Sequence, residues 1–120
     1  MTYFIKRRDK LSELLLSCGL AEINHSKACQ PEQLPAGIVS LANRQGDTKI
    51  DFGYDKYKFK VEIHLVVEDD ITADVTLLEL VEKIDSLLQD KMSITIDSVD
   101  FYDSLLNAKS VKIAKFEVIL

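Results

Sequence analysis

Glu62 and His64 are the first residues whose types and spacing offer chemistry, because a carboxylate and an imidazole held together can pass a proton. Two positions apart in a strand, they point the same way. No nucleophile or metal partner stands near them in the sequence, so the plainer reading is an exposed strand histidine. His25 and Cys29 have helical i, i+4 spacing, which can seed a metal site or activate a thiol. Their segment is bounded by Pro31 and supplies no further ligand, and it too reads as structural. Glu68, Asp69, Asp70 and Asp74 could hold a divalent cation, but they lack the glycine and terminal glutamate of a calcium loop. An acidic turn leading into a helix explains them. Gly19, Gly37, Gly46 and Gly53 form no phosphate cradle, and no nucleophile elbow or C-x-x-C occurs. No catalytic, cofactor-binding or metal-ligating residue is therefore assigned, and the chain reads as a non-enzyme.

The element that must carry Glu62 and His64 is the stretch 57–67, YKFKVEIHLVV. Tyr57, Phe59, Val61, Ile63, Leu65 and Val67 are apolar and alternate with Lys58, Lys60, Glu62 and His64. Strict alternation predicts a strand with one buried face. Burying each of those apolar side chains contributes roughly 1.5–3 kcal/mol, a gross sum comparable to the net stability of a small domain, about 5–15 kcal/mol. The rest of the chain must cover that face.

Two amphipathic helices are the natural cover. Residues 2–18 place Phe4, Leu11, Leu14, Leu15 and Cys18 on one face, with Thr2 a candidate N-cap and Gly19 a candidate C-terminal stop. Residues 75–89 place Leu77, Leu80, Val81, Ile84, Leu87 and Leu88 at i, i+3, i+4, i+7 spacing. Thr76 with Glu79 has capping-box spacing, and Asp74 or Thr72 offers a start one turn earlier.

Between the first helix and the main strand lie a Pro-marked loop, a short strand near Ile23, and a clearer strand after Pro35 through Ile38, Val39 and Leu41. The segment 43–55, NRQGDTKIDFGYD, suits a long hairpin or projecting arm. After the second helix, Ile94, Ile96, Val99 and Phe101 mark one strand, and Val111, Ile113, Phe116, Val118 and Leu120 mark another. Each set changes apolar parity once, which predicts a bulge or bend at Asp97–Ser98 and at Ala114–Lys115. Leu105 and Leu106 fall in what reads as the loop joining them. The whole is an α+β domain: a mainly antiparallel sheet of about four strands with two helices packed on one face.

Length and charge bound the function. At 120 residues the chain makes one domain. It is 47% hydrophobic and 29% charged, with a net charge of −5, which is globular in composition. Binding nucleic acid through phosphates needs clustered Lys and Arg. The short run Lys6, Arg7, Arg8, Lys10, broken by Asp9, reads instead as a solvated helix side. There is no apolar run long enough for a membrane span. The N-terminal residues lack the order of a secretory signal, so a cytosolic protein with Cys18 and Cys29 as free thiols is expected.

Two features point to assembly: the 43–55 arm and the apolar pair Leu105–Leu106, since apolar groups in loops and edges often meet another subunit. Arg44, Lys49, Ile50, Asp51, Phe52, Leu105 and Leu106 are the candidate subunit or partner contacts.

In order and length of elements, the chain resembles the tail-terminator (tail-completion) proteins of long-tailed bacteriophages. The matching parts are TYFIKRRDKLSELLLSC, EQLPAGIVSLANR, YKFKVEIHLVV, VTLLELVEKIDSLLQ, and ITIDSVDFYD with SVKIAKFEVIL. The resemblance implies a virion component assembled in the host cytoplasm. It would form a ring, commonly of six subunits, that caps the tail tube and meets the head–tail connector, with no cofactor. Its partners would be other copies of itself, the tail-tube protein and the connector. The alternatives are another head–tail joining (neck) protein and a small cytosolic ligand-binding module.

Overall fold

The computed structural model describes residues 2–28, 30–42, 50–52 and 57–120. The chain is α+β, with helices α1 (Thr2–Ser17) and α2 (Ala73–Met92) and strands β1 (Glu22–Asn24), β2 (Ala36–Leu41), β3 (Ile50–Phe52), β4 (Tyr57–Glu68), β5 (Asp100–Leu106) and β6 (Lys109–Ile119). Five strands lie side by side in the order β1-β2-β4-β6-β5, and β3 pairs with the beginning of β4. Every pairing is antiparallel except β1 with β2, which is parallel. The sheet is thus mixed and wider than the four strands expected. The strands beyond those four are the short β1, formed around Ile23, and β3; the rest of the segment 43–55, expected as a hairpin or arm, lies outside the described residues.

β4 is the centre of the sheet. Its alternation sends Val61, Ile63, Leu65 and Val67 into the main core with Leu11, Leu15 and Cys18 of α1 and Leu77, Leu80, Ile84 and Leu88 of α2. Across the β4–β6 register, Val61 faces Val118, Ile63 faces Phe116 and Leu65 faces Ala114, so β6 continues the same surface. α1 contacts β1 and β2, whereas α2 contacts β4 and β6, and the helices also touch each other. Gly19 ends α1 with φ +104°, a conformation natural to glycine. α2 runs from Thr72 as N-cap to Ser93 in the left-handed region, and the Ile94 amide donates to the Leu88 carbonyl at 3.0 Å. Thr72 caps without a side-chain bond to the helix; its amide and hydroxyl instead bond Asp70 Oδ1 at 2.9 and 2.8 Å.

The parity changes have a different cause from the bulges expected. β6 pairs with β4 without interruption from Lys60↔Ile119 to Glu68↔Val111. Val111 and Ile113 sit on the opposite face, in a second apolar cluster with Val66, Leu34 and Leu106. Both faces of that end of the sheet carry apolar groups, so the face switch needs no bend. On the other side, residues 93–99 form no strand. Ile94 is buried in the main core and Ile96 and Val99 pack against it from an irregular connection, with β5 beginning only at Asp100. Leu105 and Leu106 likewise lie in β5 rather than in a loop. The turn is the two residues Asn107 and Ala108, with φ of 51° and 65°, the doubly positive pattern that matches the twist of a tight hairpin.

Candidate functional site

The face of β4 away from the helices carries Glu62 and His64, and the chain closes over it. Glu62 Oε1 accepts from Lys27 Nζ at 2.8 Å and pairs with His64 Nε2 at 2.5 Å; Lys115 Nζ lies 3.9 Å away. The glutamate side chain is 5% exposed and the imidazole 13%. The expectation of an exposed strand histidine is therefore overturned. The loop after β1 brings Lys27 over the sheet, and Tyr102 of β5 brings its hydroxyl within 3.4 Å of His64 Nδ1.

Burial by itself would raise the Glu62 pKa, but the hydrogen bonds from Lys27 and His64 and the charges of Lys27 and Lys115 outweigh it and hold the group below its ordinary range. Burial, and then the charge of Glu62, push the Tyr102 phenol upward. A carboxylate so firmly ionised and so fully bonded is a poor proton acceptor. Ser40, the register partner of Glu62 on β2, has a buried hydroxyl without a hydrogen-bond partner among the described residues. The arrangement does the work of a clamp, fastening the loop after β1 and the edge strand β5 to the centre of the sheet.

His25 is engaged elsewhere, its Nε2 lying 2.9 Å from the hydroxyl of Ser12 on α1. Burial, followed by the nearby Arg8 charge, lowers its pKa. Its suggested partner Cys29 lies outside the described residues. Among the described residues, no group of three or more His, Cys, Asp or Glu side chains could hold a metal ion. Of the acidic set, Asp70 bonds Thr72 ahead of α2, and Asp74 accepts from Lys112 Nζ at 2.8 Å, tying the start of α2 to β6. Asp103 on β5 stands 3.8 Å from the same ammonium.

The candidate contact residues fall into three sets. Arg44 and Lys49 lie outside the described residues. Ile50, Asp51 and Phe52 form β3, in register with Phe59, Lys58 and Tyr57. Leu105 and Leu106 end β5, and they part company: Leu106 packs against the second apolar cluster, whereas Leu105 is 70% exposed. β5 is the outermost strand of the sheet, and Phe101 on it is 50% exposed. Among the described residues no strand pairs with its outer side.

The sequence pattern singles out neither Lys27 nor Tyr102, and it marks Lys115 only as part of an expected bend and Phe101 only as an apolar strand position. The first three join Glu62 and His64 only through loop and hairpin geometry, which no local pattern encodes. Phe101 carried a signal, an aromatic beside two aspartates, that was spent on the expected core face. An open cleft of about 500 Å³ also lies beside α1, lined by Arg8, His25, Lys27, Val39, Ser40, Leu41 and Val61 among others. Among the described residues no helix is long and apolar enough to cross a membrane. No family model matches the chain, and no curated protein matches it at a significant level.

Proposed function

We propose that the chain is a structural protein of the phage tail-terminator kind, which works by assembling with copies of itself into a ring that caps a tail tube and meets the head–tail connector. The observation that carries this reading is the outer strand β5, seven residues long, with Phe101 and Leu105 exposed on a sheet edge that no strand among the described residues pairs with. Natural edge strands are usually short, covered or broken, because a bare edge is a template for another chain. A long edge with exposed large apolar groups is what a subunit contact looks like before its neighbour arrives. The scaffold suits the role: a mainly antiparallel sheet, covered by both helices on one face, holds its edge rigidly. The polar side chains on the other face are locked in ion pairs and bonds rather than poised for turnover. In this reading the protein is a non-enzyme, needs no cofactor and belongs to the virion after assembly in the host cytoplasm.

The test is negative-stain microscopy of the purified protein, alone and mixed with tail-tube protein. Rings are expected. A strict monomer under both conditions, combined with saturable binding of a small molecule, would replace this reading with that of a ligand-binding module.

A further inference from the structure

We infer that copies of this chain join head to tail, the acidic outer strand β5 of one copy seating against the basic cleft beside α1 of the next. The inference rests on the assembly reading above and adds which two surfaces meet. They lie at opposite ends of the sheet: α1 stands over β1 and β2, and β5 is the last strand on the other side. A contact between opposite ends of one subunit is heterologous, the kind that closes into a ring when its rotation permits.

The two surfaces are complementary in charge and in polarity. β5 offers exposed Asp100 on one face and exposed Phe101, Asp103 and Leu105 on the other, with Asp103 also 3.8 Å from Lys112. The cleft is lined by Arg8 and Lys27, which stay partly exposed although Arg8 also stands 3.6 Å from Asp9 and Lys27 bonds Glu62, with the half-exposed Leu41 as its accessible apolar wall. The competing arrangement, two β5 strands paired about a two-fold axis, is disfavoured by the sequence of the edge. Antiparallel pairing along the full strand centres on Asp103 and sets it against its own copy, and like charges directly opposite destabilise a ladder.

Charge reversal tests the pairing. Arg8→Glu alone and Asp100→Lys with Asp103→Lys alone should each weaken self-association about tenfold or more, a loss of at least about 1.4 kcal/mol. An equimolar mixture of the two variants should assemble again, because alternating copies then present opposite charges at every contact. Carbodiimide treatment of assembled wild-type protein should in addition join Lys27 of one copy to Asp100 or Asp103 of another. If wild type assembles and the reversals assemble equally well, or the crosslinks fall only elsewhere, the pairing is wrong while the ring reading stands. If wild type stays monomeric with and without tail-tube protein, the ring reading fails and takes the pairing with it.

Discussion

Glu62 Oε1 accepts a hydrogen bond from Lys27 Nζ at 2.8 Å, and through it a residue of the loop after β1 reaches past β2 to the central strand. The glutamate is buried whereas the lysine is half exposed, so the bond reaches inward from the surface. The same oxygen is bonded by His64, which in turn is within reach of Tyr102 on the far edge. One carboxylate thus ties together both sides of the sheet.

Replacing Glu62 should therefore cost stability and alter its pH dependence. Hydrogen bonds to charged groups contribute roughly 1.5–3 kcal/mol, so Glu62→Gln is expected to lower unfolding free energy by about 2 kcal/mol in urea titrations at neutral pH. The Glu62 pKa is lowered in the folded state, below its ordinary value of 4.5. The unfolded chain therefore binds the proton more readily, and the stabilisation is complete above the ordinary value and lost as pH falls through the folded value. Wild type should lose stability more steeply than Glu62→Gln below about pH 4.5. Parallel slopes would show that the carboxylate is not held as described.

The hairpin turn offers a gain. Ala108 sits at φ 65°, where a Cβ is strained by roughly 1–2 kcal/mol. Glycine removes the strain at some cost in unfolded-chain entropy. Ala108→Gly is expected to raise stability by about 1 kcal/mol, read as a higher midpoint at unchanged urea slope. A loss would mean that the turn has another geometry.

Core and edge should separate cleanly. Ile63 is fully buried in the main core, and Ile63→Ala should cost about 2–5 kcal/mol. Leu105 is largely exposed, and Leu105→Ser should change stability by no more than about 0.5 kcal/mol. The same Leu105→Ser protein should fail to assemble, which a purely structural role for the residue would not produce.

Cys18 is a free, buried thiol whose pKa is raised by burial despite the nearby Lys83 charge. Thiolate is the reactive form, so in a Cys29→Ser background the native protein should resist maleimide labelling and react only on unfolding. Labelling at the rate of a free thiol would contradict the packing of α1 on the sheet.

Much of this architecture is local and could be read locally. The alternation of 57–67 gave β4 to within a residue, because that strand buries one face along most of its length. The i, i+3, i+4 pattern gave α2, short by two residues at its start and three at its end. The misreadings share a physical origin. A parity change in β6 was attributed to a bulge because one apolar face was assumed, and the Val66–Val111–Ile113 cluster under Leu34 breaks that assumption. Ile94 and Ile96 are spaced as in a strand, yet with Val99 they pack on the core from an irregular connection outside the sheet, since periodicity reports burial and not strand pairing. The clamp was half legible: Glu62 and His64 announce themselves, whereas Lys27 and Tyr102 arrive through tertiary folding, 35 and 38 residues from the groups they bond.

The central proposal is that the exposed β5 edge is a subunit contact, and sedimentation velocity across a wide range of protein concentration, with and without tail-tube protein, tests it most directly. A discrete closed assembly whose size stops growing with concentration is the predicted result. A single species with the mass of one chain at every concentration and in both conditions would contradict it.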